Sequence, residues 1–470
     1  MVTGSAVTIP YTAAGGTQAH LEAGAGLKRS ATRGLPPSGR WRRPGWLPLV
    51  FSLVLLLFTG GCWGYREVDD SAYILILGVD KGRENLLAIT AQIAVPRAMG
   101  AGGMGGGGGN GGAGGGAGGG GAGQRSTITI TVESRSIITG LDLMNASVER
   151  RVNLKHLKAL IFSDELAREG LECHLGPLNR FPEFRRNTFM AVSRGPAGQL
   201  VERVRPVMES NPAKYVELLI TAQRYVGFSP FGQVHHFYND LKSASVQPAA
   251  PLVAIRGKEH IHRHGLSGGV EEGDYLAGQL PRRGGEDVEQ IGTAVFKGDR
   301  MVGELTGDET VILNMIKGQF RQGFFAFPDP QRPGYFIVLR MLAERKPQIS
   351  CARLKDNTID VRGRVSLEAE FASIQSGINY ERMDQIPLIE AEVNRILEER
   401  AAALIRKSQE EFQSDIFGFG YKARHLAATW PQWQELNWLG SYPRAQVRIT
   451  FKTHIRRIGL MRETSPARDR

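Results

Sequence analysis

Short apolar runs separated by turn residues fill the chain from residue 72 onward. Residues 72–79 form one run of strand length, and Asp80, Lys81 and Gly82 follow with turn chemistry. Residues 86–95 form a second run closed by Pro96, so the pair predicts a hairpin. A strand pattern resumes over 127–132, and Ile137, Leu141, Met144 and Val148 then fall near helical spacing over 136–150. Residues 157–162 read as another strand. Ser163 is placed to cap a helix that starts at Asp164 and ends near Gly170, and residues 189–192 give a further short strand. This alternation predicts an α/β domain over 62–199.

A helical stretch follows over about 197–208, then a more polar and aromatic region to about Pro251. Residues 256–289 are rich in Gly, His and charge, which predicts an exposed loop, so 200–290 reads as a middle domain with that loop. The last domain spans 291–462. It opens on a hairpin, residues 293–296 and 300–303 around Lys297, Gly298 and Asp299. Further strands are expected at 334–343, 358–372 and 445–453. The strongest helix lies between them at 387–413, with Ile389, Val393, Ile396, Leu397 and Leu404 on one face. The expectation is a multi-domain α+β protein of three domains, with mixed and antiparallel sheets and packed helices. Its last domain would lay a long helix on a strongly bent antiparallel sheet, and 463–470 would be a tail.

One segment departs from every period. Of the 24 residues from Gly100 to Gly123, 18 are glycine, which leaves no side chains to bury and predicts a flexible loop inserted between two strands. Phosphate loops need a few glycines at fixed spacing, so that chemistry is not indicated.

The longest apolar run lies earlier. Residues 47–58 are apolar except Ser52; Thr59, Gly60, Gly61 and Cys62 follow, and Arg40, Arg42 and Arg43 stand upstream. A basic region, an apolar stretch and small residues make a secretory signal, and a cysteine directly after them marks a lipoprotein signal. Residues 1–61 are therefore expected as a leader, with lipid on Cys62. The alternative is an uncleaved anchor with an incidental cysteine, but about 13 apolar residues is short of the roughly 20 that a span needs. Thr59 departs from the aliphatic residue usual at that position.

Charge adds little. The chain carries +11; the leader holds six basic residues and one acidic, which leaves about +6 spread over the rest. That suits a protein near anionic headgroups and lacks the clustered basic motif of a nucleic-acid binder. Besides Cys62 there are two cysteines, Cys173 and Cys351, which excludes a disulfide scaffold; one bridge between them is the alternative, but their distance in sequence favours two separate buried thiols.

No zincin helix, P-loop or paired-cysteine zinc site appears, and the one Gly-x-Ser-x-Gly match, Gly265 to Gly269, lies in the Gly-rich loop rather than between a strand and a helix pattern. His260, His262 and His264 alternate, yet no carboxylate or cysteine of matching spacing completes a metal site with them. Metal and cofactor are both expected to be absent. Residues 181–187 mix aromatic and basic side chains, which makes Arg185, Arg186 and Asn187 candidates for a partner or anion contact. Residues 414–420 directly follow the long helix. Asp415 can bond nearby amides there, and Gly418 and Gly420 allow a sharp reversal that would dock Trp430 and Trp433 against the last sheet.

Several segments together resemble one family. Cys62-Trp63, Arg66 to Asp70, Gly78 to Gly82, Asn153 to Leu157 and Phe162 to Ala167 are similar to the Ger(x)C family of spore germination lipoproteins. So are Pro182 to Asn187, Gly292 to Lys297, Gln409, Ser414 to Gly420 and Ile455 to Leu460. The resemblance implies a non-enzymatic C subunit of a nutrient germinant receptor, a lipid-anchored soluble body on the outer face of the spore inner membrane. Its implied partners are integral membrane A and B subunits, with no nucleic acid. The other reading is an extracytoplasmic solute-binding lipoprotein, which would normally show two similar βαβ lobes.

Overall fold

The computed structural model describes residues 70–84, 86–95, 127–205, 212–257 and 273–457, with the single positions 46, 209, 459, 461 and 464. Cys62, the Gly100–Gly123 tract and His260, His262 and His264 lie outside them.

Strand β1 (Ser71–Lys81) is buried on both faces along most of its length, which its unbroken apolar run requires of a central strand. β2 (Leu87–Ala94) pairs with it antiparallel as the expected hairpin, and β3 (Thr127–Ser134) pairs with β2. Helix α1 (Ile137–Met144) is capped by Ser136, and it stops short of 150 because Asn145 turns the chain, its Oδ1 accepting from Val152 N–H. β4 (Arg151–Asn153) and β5 (Ala159–Ser163) both run parallel to β1. Ser163 caps α2 (Asp164–Glu169) as expected, and α3 (Glu172–Leu178) and β6 (Phe189–Ser193) follow.

Helix α4 (Ala197–Arg203) ends before the expected 208. Val204 turns extended, and Pro206 stands two residues on, where the preceding residue disfavours helix. Two helices then occupy the region expected only as polar and aromatic: α5 (Pro212–Val226), whose Val216, Leu219 and Ile220 fall at helical spacing, and α6 (Val234–Leu241). β7 (Ala249–Ile255) runs parallel to β6, and β8 (Val288–Lys297) and β9 (Arg300–Leu305) extend the sheet antiparallel. The sheet order is β3-β2-β1-β5-β6-β7-β8-β9 with β4 beside β1. One sheet thus continues across residue 200, and β8 itself crosses position 291. Helices cover both faces. Leu141, Leu166, Leu175 and Phe237 pack on one side, and Leu200, Val201, Tyr215 and Val216 on the other.

After β9 comes α7 (Gly307–Lys317), a helix not among the expected elements. Thr306 and Glu309 form its capping box. β10 (Gln322–Pro328), β11 (Phe336–Ala343), β12 (Gln348–Arg353) and β13 (Ile359–Ile374) build a second sheet, where β13 pairs antiparallel with β11 and β12. Helix α8 (Ile386–Glu410) buries Ile389, Val393, Leu397, Ala401 and Leu404 on that sheet. It also serves as a crossover, so β14 (Gln446–Arg457) returns parallel to β13 and the sheet is mixed rather than antiparallel. The second core takes in Val295 and Leu305 from the first sheet, and residues 66–470 form one compact unit.

Three side chains of α8 meet the outer edge of β14. Glu398, Asn394 and Glu390 accept the backbone N–H groups of Phe451 (3.0 Å), Thr453 (2.9 Å) and Ile455 (2.7 Å). Of the two thiols, Cys351 is buried, whereas Cys173 is exposed on α3, contrary to expectation; both are free.

Candidate functional site

The chain leaves α8 through a turn wrapped around one buried carboxylate. Asp415 is 1% exposed. Its Oδ1 accepts the N–H groups of Phe417 (3.1 Å), Gly418 (2.9 Å) and Phe419 (3.3 Å), and its Oδ2 accepts those of Gly420 (3.0 Å) and the Trp438 indole (2.8 Å). Burial raises the pKa of this carboxyl, and the Trp438 and backbone donors pull it down. Both oxygens meet donors, an arrangement that suits the ionised form.

The two glycines act differently. Gly418 has φ of +79°, where an L side chain is strained. At Gly420 a Cβ would stand 2.2 Å from the Ser245 carbonyl oxygen and 2.4 Å from the Trp438 ring. The expected docking of Trp430 and Trp433 is thus changed in its main partner. Trp438 makes the direct bond, Trp433 is buried in the second core, and Trp430 is 52% exposed beneath the Arg424 guanidinium. Trp438 reaches Asp415 because the chain folds back through α9 (Gly420–Ala423), α10 (Trp430–Leu436) and α11 (Trp438–Ser441).

This turn also grips the first sheet. Ser414 Oγ donates to the Phe296 carbonyl on β8 (2.6 Å), and Gln247 N–H donates to the Asp415 carbonyl (2.9 Å). Lys317, at the end of α7, donates to the Ile416 carbonyl (2.9 Å). Burial lowers the Lys317 pKa, while Asp240 and Asp415 oppose that shift. The Tyr421 hydroxyl donates to Asp240 (3.3 Å), whose pKa is raised by burial. A lysine closing the mostly apolar stretch Val311 to Ile316 is the one sequence signal for this cluster.

The other candidate segment lies at the opposite end of α6. Phe184 is buried in the first core, so Arg185, Arg186 and Asn187 stay exposed. The Arg186 carbonyl accepts His235 N–H (3.0 Å), and the Thr188 carbonyl accepts Val234 N–H (2.9 Å), which seats the start of α6 on this turn. Helix α6 therefore touches the 185–188 turn at its first residues and Tyr421 at Asp240. Arg185 and Asn187 face a cleft of about 340 Å³, whose lining includes Lys155, His156, Lys158 and Lys214. Arg186 is not among its lining residues. Burial lowers the His156 pKa, and the charges of Arg185, Lys158 and Lys155 lower it further. Among the described residues no three His, Cys, Asp or Glu side chains converge as a metal site.

Residues 64–255 match the family described as spore germination protein N-terminal domain, and residues 291–459 match spore germination B3/GerAC like, C-terminal. The chain belongs to the Ger(x)C family of spore germination proteins. Relatives of this Ger(x)C protein span its length. It is 22% identical over 424 residues to the putative spore germination protein YfkR of Bacillus subtilis (strain 168), covering 88% of this chain and 97% of that one. It is 23% identical to spore germination protein KC of the same organism, covering 87% and 95%. Against GerQC of Bacillus cereus the identity is 19%, covering 87% and 98%. A crystal structure of the GerBC protein aligns with a TM-score of 0.42 and 14% identity, over 80% of this chain and 96% of that one. The Arg185–Asn187 turn falls in the first matched region of the Ger(x)C chain, and the Asp415 turn in the second.

Proposed function

We propose that this Ger(x)C protein is a lipid-anchored subunit of a spore germinant receptor, needed for the nutrient-triggered response and acting by binding and assembly rather than catalysis. The match of both family regions, in order along the body, is the observation that carries the reading. Cys62 would hold the acyl chains, and the body would sit at the outer face of the spore inner membrane beside integral A and B subunits. The segments 185–187 and 414–420 would shape that body for assembly. The exposed 185–187 turn would be a contact surface, and the buried Asp415 turn would hold the two sheets in register.

Affinity purification from spores that carry a tagged chain tests this reading. The A and B subunits should co-purify, and Cys62→Ala should release the protein from membranes or leave an unprocessed precursor. An unmodified Cys62 in the mature protein would refute the anchor. A tagged chain that brings down neither membrane subunit, even after cross-linking, would refute the receptor role.

A further inference from the structure

The cleft beside Arg185 shares Arg185 and Asn187 with the proposed contact surface, but the rest of its lining has a composition that the assembly role does not use. Its floor is the start of β5, its far wall is α5, and the 185–189 turn closes one side. Lys155, His156, Lys158, Arg185 and Lys214 bring basic groups to it, against a single carboxylate, Glu217. Lys158 already holds that carboxylate in an ion pair. Among the described residues Arg185 has no acidic partner, and Lys155 has none either, so the cleft keeps an excess of positive charge. Burial first, and then the charges of Arg185, Lys158 and Lys155, hold the His156 pKa down.

The lining is not wholly polar. Leu218 and Phe231 are 47% and 41% exposed at its border, and Ile220 and Phe189 add further apolar surface. Large side chains left open beside Arg185 and Lys155 make an amphipathic recess, and its volume lies within the range of small-ligand sites. Arg185 offers a planar fork that can grip two oxygens at once, and the Asn187 amide stands beside it.

We propose that this cleft binds a compact organic anion, one carboxylate or phosphate head joined to a short apolar group, with Arg185 and Lys155 on the head and Leu218 and Phe231 against the apolar part. The site does not depend on the receptor reading. It can exist in a chain that assembles with other partners, and its failure would leave the family match untouched.

Calorimetric titration of the full-length chain, in non-ionic detergent at low salt, tests it with four probes: benzoate, phenyl phosphate, acetate and inorganic phosphate. Benzoate or phenyl phosphate should bind about tenfold tighter than its counterpart without the ring, the scale of a few buried carbons. Arg185→Gln should weaken that binding at least tenfold, and Lys155→Gln should weaken it severalfold. Both residues are exposed, so melting temperatures should stay at the wild-type value. Lys355→Gln, in the turn between β12 and β13, should change nothing. Histidine NMR gives a second reading: bound anion should raise the His156 pKa, because it stabilises the imidazolium. Equal affinity for ringed and ringless probes would overturn the apolar half of the proposal. Binding that survives Arg185→Gln unchanged, or no binding of any probe, would overturn the site.

Discussion

Asp415→Asn puts the buried turn to its severest test. The substitution keeps the shape of the side chain and one acceptor oxygen. Placed where Oδ1 lies now, that oxygen can still serve Phe417, Gly418 and Phe419. The new amide nitrogen then faces Gly420 N–H and the Trp438 indole N–H, two donors against a donor. Each buried donor left without an acceptor costs about 1–3 kcal/mol, so the variant should lose about 2–6 kcal/mol. Urea unfolding followed by tryptophan fluorescence reads this loss, since Trp438 sits in the turn. Trp438→Phe removes one of the two opposed donors, so Asp415→Asn should cost about 1–2 kcal/mol less in that background. A loss under about 0.5 kcal/mol would refute the reasoning, because such a value is what a solvated surface change gives. In spores the same variant should lower the amount of assembled receptor. Normal abundance with a shifted nutrient requirement would instead make Asp415 a direct ligand contact.

Three further outcomes are expected. Gly418→Val should cost about 1–3 kcal/mol through its positive φ, whereas Gly420→Ala should cost at least as much through contact with the Ser245 carbonyl; equal stability of either to wild type by urea unfolding would dissolve that distinction. Glu309→Gln should cost about 3–5 kcal/mol, because Glu309 is buried and holds the Lys407 amine at 2.8 Å, tying α7 to α8; a midpoint within error of wild type would refute that tie. His156, His174 and His236 all have pKa values lowered from 6.5, with burial the first cause. The unfolded chain then binds more protons below that value, so these groups contribute stability above pH 6.5 that is lost as pH falls through their lowered folded values. Asp80 and Asp240 are raised by burial and act in the opposite sense. His174→Gln isolates the histidine share: its unfolding midpoint should fall less than wild type between pH 7.5 and 5.5, and parallel curves would refute the shift.

Local pattern was legible where one element's own residues decide its form. The β1–β2 and β8–β9 hairpins, the Ser163 cap and the buried stripe of α8 follow from period and turn chemistry within single short windows. The parallel return of β14 was not legible, because nothing in β13 records which way a strand beyond a long helix will run. The same limit explains Trp438. The amide donors around Asp415 lie within five residues and were foreseeable, but the indole donor arrives through three short helices whose path no period encodes. Arg185 and Asn187 could be singled out by their mixed neighbourhood. The cleft they face needs α5 opposite them; Tyr215, Val216, Leu219 and Ile220 do fall at helical spacing, but nothing in that window records which turn the helix will stand against.

The acceptors of α8 beside β14 set a boundary on growth. Four helical residues rise about 6.0 Å and two strand residues about 6.7 Å, so side chains at successive turns keep step with every second amide over a short distance. Glu390, Asn394 and Glu398 use that near-coincidence to occupy the amides another strand would need. An unoccupied border of this kind invites a second chain to extend the sheet. With three successive outward amides taken from within, the Phe451–Ile455 stretch of β14 is a poor template for a further strand. Crowded copies are thereby discouraged from polymerising through this stretch, and contacts made there fall to side chains rather than to shared backbone.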